Sequence, residues 1–108
     1  MRVGDILDAV EAALNYVKGM DFETFRRDRR TVDAVIKNFV VIGEAVGDVP
    51  DEIISAHVEI PWRIMRRMRN VMVHRYFGID ETVLWETIRD DLPPLVPLLR
   101  KVLVDEAG

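Results

Sequence analysis

The sequence contains no cysteine, and that absence excludes several classes of protein. Disulfide scaffolds, cysteine-ligated zinc, iron–sulfur sites and thiol nucleophiles all require that residue. Long apolar runs are absent too: the longest uncharged stretch, Leu92 to Leu99, is far below the roughly 18 residues of a membrane span. The first residues, Met1 to Asp5, form no apolar signal region. The sequence therefore predicts a cytoplasmic protein with no membrane segment.

Alternating apolar and polar residues, the pattern of a half-buried strand, are also missing. Apolar residues instead recur at spacings of three and four, as they do from Val3 to Val17 and from Leu84 to Leu103. This spacing is typical of amphipathic helices. The chain of 108 residues is too short for two independent cores. The sequence therefore predicts an all-α fold, a bundle of four or five helices in a single domain over residues 1–108.

Glycine is scarce, and its positions help to predict where helices end or approach one another. Gly19 predicts the end of the first helix, and Asp21 predicts the cap of a short helical turn after it. A longer helix is predicted to begin between Asp28 and Thr31. Its late Gly43 and Gly47 would let a neighbouring backbone come close, because glycine has no Cβ.

Proline is equally scarce and marks the other helix boundaries. Pro50 and Pro61 are each predicted to open a helix, since proline is tolerated in the first turn. The last apolar stripe is interrupted by Pro97 and by the pair Pro93-Pro94. An interior proline disrupts a helix, so the last helix is predicted to be kinked or split near Pro93-Pro94.

The net charge of −4 is a sum of two very uneven parts. Nine arginines fall in two clusters, and the rest of the chain holds 6 basic and 18 acidic residues. Arginine grips phosphate through two parallel hydrogen bonds, so the clusters could bind nucleic acid. They could equally be solvated helix faces paired with acids elsewhere in the fold. The first arginine cluster is Arg26, Arg27, Arg29 and Arg30 around Asp28, and the second arginine cluster is Arg63, Arg66, Arg67, Arg69 and Arg75.

The stretch from Pro61 to Phe77 is predicted to be one amphipathic helix. A wheel of 100° per residue gathers its apolar residues on one face and its polar residues on the other. The predicted apolar face holds Ile64, Met65, Met68, Val71 and Met72. The opposite face holds Arg63, Arg66, Arg67, Arg69, Asn70 and His74, with Tyr76 beside Arg69.

The polar face carries the groups needed to cleave a phosphodiester. His74 is the only residue on it that titrates near neutral pH, so it is the candidate for proton transfer. Arg69 and its neighbours cannot transfer protons but can hold a phosphate and offset negative charge. No acid lies between Glu59 and Asp80, whereas metal-dependent hydrolysis would need grouped carboxylates. The pattern favours metal-independent attack of the RNA 2′-hydroxyl on its own phosphate, while a purely structural role for both residues stays open.

The spacing Arg69, four residues, His74, one residue, Tyr76 resembles the signature of HEPN-fold ribonucleases of the HepT type. The segments Ile60-Pro61-Trp62 and Ile42-Gly43-Glu44-Ala45 resemble that family as well. The resemblance implies an antiparallel, HEPN-like bundle that forms a homodimer. Two copies of His74 could then supply one acid and one base to an RNA substrate.

The resemblance also implies a toxin–antitoxin pair. Its members are encoded beside a minimal nucleotidyltransferase antitoxin, which neutralises the toxin by attaching AMP to the motif tyrosine, here Tyr76. Arg67 and Arg75 depart from residues that are often glycine, small or acidic in the family. Both departures add positive charge beside the motif.

These observations assign a role to each candidate residue, with no cofactor and no metal site expected. The alternatives are a non-catalytic helical module that docks a nucleotidyltransferase or a nucleotide, and a plain bundle that dimerises through this face. Glu44 would either orient an arginine or form a structural salt bridge, and His57 is predicted at the surface or a helix end. Trp62 and Phe77 are expected to pack rather than stack on bases. Arg69 and His74 are the catalytic candidates, Asn70 and Arg66 the supporting residues, Tyr76 the AMP acceptor, and Arg63, Arg67 and Arg75 the phosphate-binding residues.

Overall fold

The computed structural model describes residues 2–71 and 81–107, which are helical with no strand among them. This confirms the predicted all-α bundle. No helix in these two ranges has the length and apolarity needed to cross a membrane. The helices are α1 (Arg2–Tyr16), α2 (Phe22–Arg27), α3 (Arg29–Val46), α4 (Asp51–Ala56), α5 (Trp62–Arg67) with a 3-10 turn (Met68–Asn70), α6 (Glu81–Glu86) with a π-helical turn (Thr87–Asp91), and α7 (Leu92–Ala107).

The three long helices α1, α3 and α7 build the centre of the core. α1 packs against both α3 and α7, and each helix buries one apolar stripe. Arg100 of α7 pairs with Glu11 of α1 at 3.2 Å, while Val96 shares a groove with Leu14 and Lys18. Position numbers thus rise along α7 as they fall along α1, so these two helices are antiparallel. The fully buried side chains include Val3, Ile6, Val10, Val32, Val35, Ile42, Leu92, Leu99 and Val102.

The turns between α1 and α3 follow the rules for helix ends. Gly19 adopts a φ of 79°, the left-handed conformation that favours glycine after a helix. The Asp21 carboxylate accepts a hydrogen bond from the Thr24 backbone N–H at 2.8 Å and caps α2. Asp28 caps α3 and accepts from the backbone N–H and the hydroxyl of Thr31 at 3.2 and 2.9 Å. The predicted stop and cap are therefore confirmed.

The last helical stretch stays helical throughout, but its winding changes just before the prolines, where a kink or a split was predicted. α6 widens into a π-helical turn that ends at Asp91, and α7 starts at Leu92. Pro93 and Pro94 then lie in the first turn of α7, where a missing N–H costs nothing. Trp85 of α6 packs on Phe25 of α2 with ring centroids 5.2 Å apart, which fixes α6 against the rest of the bundle.

Both ends of the described chain lie at the end of the bundle where α3 gives way to α4. Arg2 pairs with Asp48 at 3.2 Å, just beyond the last residue of α3. At the other end, the Glu106 carboxylate lies 3.1 Å from Nε2 of His57, the residue that caps α4. His57 is at a helix end, which is one of the two positions predicted for it, and it is only 4% exposed. A buried imidazole is stable here because a carboxylate faces it.

Candidate functional site

α5 and its 3-10 turn carry the described part of the predicted site. The buried residues follow one another at intervals of three: Trp62, Met65, Met68 and Val71. The residues between them point to solvent, and every described arginine of the second arginine cluster is exposed. The exposed residues of this segment that belong to the predicted site are Arg63, Arg66, Arg67, Arg69 and Asn70.

The winding of this segment corrects one part of the predicted apolar face. Ile64 was predicted to face the core, but it is 60% exposed. The wheel assumed a continuous α-helix, whereas the α-helical hydrogen bonding stops at Arg67 and a 3-10 turn spans Met68–Asn70. A 3-10 turn has three residues per turn, so the buried stripe follows every third residue and leaves Ile64 outside.

Gly43 of α3 lets the arginine-bearing segment lie directly on the α3 backbone. A Cβ at this position would stand 2.5 Å from the backbone nitrogen of Arg69 and 2.9 Å from the carbonyl oxygen of Arg66. No real Cβ approaches a backbone so closely, so only glycine fits. The close approach predicted for Gly43 is confirmed. At Gly47, a Cβ would meet only the carbonyl oxygen of Glu44, in its own helix.

Glu44, the residue after Gly43, faces the candidate catalytic arginine. Its Oε1 lies 3.9 Å from Nη1 of Arg69, and both side chains are substantially exposed. This is an ion pair at a distance too long for a hydrogen bond. The contact is compatible with both roles predicted for Glu44, which were to orient an arginine or to form a structural salt bridge. As a salt bridge it would add little stability, because both side chains are at the surface.

The start of α5 is anchored by Trp62. Its indole Nε1 donates a buried hydrogen bond to the carbonyl oxygen of His57 at 2.9 Å. The His57 ring lies between two carboxylates, with Nε2 3.1 Å from Glu106 and Nδ1 3.6 Å from Glu59. Trp62 therefore packs rather than stacks on a base, as predicted. The anchor ties α5 to the last turn of α7.

The arginines at the site keep most of their hydrogen-bonding capacity. Within residues 2–71 and 81–107, Arg63, Arg66 and Arg67 form no ion pair. Arg63 and Arg66 border a groove with Trp62 and with Gly47 at the end of α3. Each guanidinium offers five N–H donors in a planar fork that matches a phosphate. This surface can bind a polyanion without first breaking a salt bridge to another described residue.

The rest of the motif lies outside the described residues. His74, Arg75, Tyr76 and Phe77 fall there, as does Met72 of the predicted apolar face. Their assigned roles stay predictions. Among the residues that the structure does describe, no three imidazole or carboxylate groups come together as they would around a metal ion.

Sequence reasoning missed the anchor formed by His57. Its partner Glu106 lies 49 positions away along the chain, so no local sequence pattern predicts the contact. The only signal was the residue type itself, because an imidazole that is buried needs a polar partner. Gly43 was recognisable as a point of close approach, but its partners Arg66 and Arg69 were not.

The fold and the arginine-bearing segment together define an all-α bundle of the HEPN class. A family model described as "Ribonuclease HepT-like" matches residues 6–102. The chain therefore belongs to the HepT-like ribonuclease family, and the predicted enzyme class, a ribonuclease, is confirmed.

Curated relatives agree with this family. The chain is 43% identical over 91 residues to a "Probable ribonuclease HepT" of Thermococcus cleftensis. The aligned residues cover 84% of this chain and 83% of that protein. It is 35% identical over 101 residues to a "Putative RNase" of Caldanaerobacter subterraneus, covering 94% and 90% of the two chains. A "Putative RNase" of Methanocaldococcus jannaschii is 32% identical over 104 residues, with 96% and 86% covered. No solved structure matches the chain.

Proposed function

We propose that this ribonuclease is a metal-independent endoribonuclease toxin that cleaves RNA with Arg69 and His74. The observation that carries the proposal is the row of exposed arginines on α5, of which Arg63, Arg66 and Arg67 have no ion pair among the described residues. Phosphate is the favoured ligand for these arginines, because the chain belongs to a ribonuclease family and the arginines are exposed on a segment packed against α3.

The proposed reaction is an internal transfer at phosphorus. A base removes the proton from the RNA 2′-hydroxyl, and the 2′-oxygen attacks the adjacent phosphorus. The bond from phosphorus to the 5′-oxygen breaks, and an acid gives that oxygen a proton. The products are a 2′,3′-cyclic phosphate and a free 5′-hydroxyl. His74 supplies the proton transfers, and Arg69 offsets the negative charge that builds on the phosphate oxygens.

A homodimer solves the problem that each chain contributes one His74. Two chains related by a two-fold axis place one histidine as base and the other as acid. Arg66 and Asn70 would support the reacting groups, while Arg63, Arg67 and Arg75 would hold flanking phosphates. Glu44 would keep the Arg69 guanidinium aimed toward the reacting phosphate, which its position 3.9 Å from Nη1 supports.

The proposed regulation is a toxin–antitoxin pairing. A minimal nucleotidyltransferase would act as antitoxin and transfer AMP to the hydroxyl of Tyr76. Each transfer forms a bond from the tyrosine oxygen to the α-phosphorus of ATP and releases pyrophosphate. The adduct adds a negatively charged phosphate two residues from His74, where it would compete with RNA for the arginines.

The cleavage test compares variants of the full chain on single-stranded RNA in EDTA. Wild type should cut, whereas Arg69→Ala and His74→Ala should lose cutting by at least about a hundredfold, the usual effect of removing a general acid–base or an oxyanion group. Arg100→Ala is the matched control, since Arg100 is also an exposed arginine and is paired with a glutamate, Glu11, on the surface of α7. Uncut RNA in EDTA, or activity restored only by a metal, would refute the mechanism.

The same preparation tests the alternative of a non-catalytic docking module. That alternative expects AMP transfer to Tyr76, or tight nucleotidyltransferase binding, with no RNA cleavage by the unmodified chain. Mass spectrometry of wild type and Tyr76→Phe, each incubated with the nucleotidyltransferase and ATP, locates the modification. Equal modification of both proteins would remove Tyr76 as the acceptor.

A further inference from the structure

We infer that the first arginine cluster is a second phosphate-binding site, which holds the same RNA strand away from the reacting phosphate. This inference rests on the proposed function, because it takes RNA as the ligand. It adds a length requirement to the substrate: the strand must reach from α5 to the junction of α2 and α3. Arg29 and Arg30 are the residues that carry it.

Ion pairing separates five arginines of the two clusters from the arginines outside them, although Arg26, Arg27 and Arg69 are paired. In the described part of the chain, each arginine outside the clusters is paired: Arg2 with Asp48, Arg89 with Asp90 and Arg100 with Glu11. Inside the clusters, five described arginines form no ion pair with any described residue. An arginine face that served only solubility would be expected to pair like the rest. The five are Arg29, Arg30, Arg63, Arg66 and Arg67.

The acids near the first arginine cluster are already engaged. Glu23 lies 2.9 Å from Arg26 and 3.7 Å from Arg27, so one carboxylate serves both of these arginines. Asp28 caps α3 by accepting two hydrogen bonds from Thr31. Those bonds, with a smaller contribution from Arg30, keep the pKa of Asp28 below its usual range, so Asp28 stays ionised at the cap. Arg29 and Arg30 are left exposed, without an ion pair to a described residue.

α3 connects the two clusters as a rigid spacer. Arg29 begins the helix, and Gly43, which contacts the backbone of Arg69, lies near its other end. Fourteen residues at a rise of about 1.5 Å separate them by roughly 21 Å. Fourteen steps of about 100° bring Arg29 to within about 40° of Gly43 around the helix axis. Arg29 therefore lies on the side of α3 to which the second cluster is attached, while the next residue, Arg30, lies about 140° from Gly43 around the axis.

The surface of α3 between the clusters carries no net charge. From Thr31 to Ile42 the helix has one acid, Asp33, and one base, Lys37. Phosphate contacts are therefore concentrated at the two ends of the span. A stacked strand advances about 3.4 Å per nucleotide, so roughly six nucleotides separate the two sites.

The chemistry favours RNA over an acidic protein as the ligand. A regular row of phosphates can meet two cation sites at a fixed separation, and each guanidinium can hold one phosphate in two hydrogen bonds. The rest of the chain has 18 acidic and 6 basic residues, and this excess of negative charge disfavours a polyanion there. A protein partner would need apolar contact area beside the charges, whereas the exposed sequence neighbours of the first arginine cluster, Glu23 and Thr24, are polar.

The test measures binding of uncleavable RNA, in which a 2′-O-methyl group replaces the attacking hydroxyl. Oligonucleotides of 4 and 15 nucleotides are titrated at several salt concentrations against wild type and the double variant Arg29→Ala/Arg30→Ala. The double variant should bind the short strand like wild type. For the long strand, its plot of log affinity against log salt should be shallower by about 1.4, or about 0.7 for each phosphate that the variant no longer binds.

Two further variants make the result specific. Arg100→Ala/Lys101→Ala removes the same charge from α7 and should leave the long-strand slope unchanged. Arg29→Lys/Arg30→Lys keeps the charge and should recover most of the slope. An equal loss in the α7 control, or an equal loss for the short strand, would overturn the inference, because either result means that only overall charge matters.

Cleavage of unmodified RNA separates this inference from the proposed function. If wild type binds the long strand with the steeper slope but never cuts RNA, the proposed catalysis fails while the second site stands. If wild type cuts RNA and Arg29→Ala/Arg30→Ala binds the 15-nucleotide strand like wild type, the second site fails alone. Retained RNA binding with lost binding to the nucleotidyltransferase would reassign the cluster to a protein interface and overturn the inference.

Discussion

The two arginine clusters are similar in composition but are held in place in different ways. The first is fixed by contacts within a few residues: Asp28 caps α3 through Thr31, and Glu23 pairs with Arg26 three positions away. The second is fixed by distant parts of the chain, since Gly43 receives the Arg69 backbone and Glu106 holds His57, the residue that anchors Trp62. Local contacts can be read from a short stretch of sequence, and distant ones cannot.

This difference also separates the energetics of the clusters. The backbone of the second cluster lies against α3, so a substitution at this contact disturbs the packing of the core. The first cluster sits on an exposed helix end, where losing a cap frays a few residues. We therefore expect variants near the second cluster to affect stability most and variants near the first to act mainly on RNA binding.

The largest effect is expected for Gly43→Ala, which disrupts the contact between α3 and the backbone of the second cluster. The new Cβ would stand 2.5 Å from the Arg69 nitrogen, so α5 must shift. We expect a loss of about 2–3 kcal/mol in the free energy of unfolding, typical of overpacking against backbone, with weaker binding of the 4-nucleotide strand. Urea denaturation and the RNA titration measure both effects.

Gly4→Ala is the matched control for that prediction. Gly4 also lies within a helix, but a Cβ there would meet nothing within 4 Å. Removing glycine from a helix should then raise stability by up to about 1 kcal/mol. If both substitutions shift the urea midpoint in the same direction, the close approach at Gly43 is not what holds α5.

A smaller effect is expected for Trp62→Phe, which removes the hydrogen bond to the His57 carbonyl but keeps an aromatic ring. The loss should be about 1–2 kcal/mol, because the His57 carbonyl oxygen loses one of its two donors, keeping only the Ile60 backbone N–H, and some volume is lost. Thermal unfolding measures it. Trp85→Phe is the control, since the Trp85 indole has no hydrogen bond to a described residue and packs on Phe22 and Phe25. A Trp85→Phe loss as large as that of Trp62→Phe would mean that ring size alone matters.

The smallest effect on stability is expected for Asp28→Ala, which removes the helix cap beside the first cluster. The hydrogen bonds from Thr31 hold the pKa of Asp28 below its usual value, so its stabilisation is fully present above about pH 4. That contribution fades as the pH falls through the lowered pKa. The difference in melting temperature between wild type and Asp28→Ala should therefore be constant near neutral pH and shrink below about pH 4.

Asp28→Asn separates the cap from its charge. Asparagine accepts the same hydrogen bonds without titrating, so most of the stability should remain at neutral pH and its pH dependence should flatten. In the RNA titration, Asp28→Ala should weaken long-strand binding through disorder at Arg29 while leaving the short strand unaffected. Weakened short-strand binding would show that the two clusters are not held separately.

The sequence predicts the parts of the fold that depend on neighbouring residues. Gly19, Asp21 and the change in winding before Pro93 are where local rules place them, because turns and caps need specific residue types at specific positions. The exposure of Ile64 and the burial of His57 could not be predicted in the same way. A change in helical winding and a partner 49 positions away decide them, and neither leaves a local signal.

In the candidate site, too, features set by neighbouring residues were predictable and features set by distant residues were not. Alternation of buried and arginine positions made the exposed face of α5 predictable, since charged side chains are seldom buried. The seat of Arg69 on Gly43 required knowing which helices touch. The sequence does not predict whether Arg63 and Arg66 form ion pairs, because an acid from any helix of the bundle could pair with them.

The pairing of α1 with α7 has a consequence for how the chain folds. Glu11 and Arg100 stand 89 positions apart, so this contact closes nearly the whole chain and contributes to slow folding. Because Arg2 and Glu106 both reach the end of the bundle where α3 gives way to α4, a short linker could join the two ends, with new ends opened at the turn around Gly19. In such a circular permutant α1 would follow α7 directly, and we expect the same bundle to form faster.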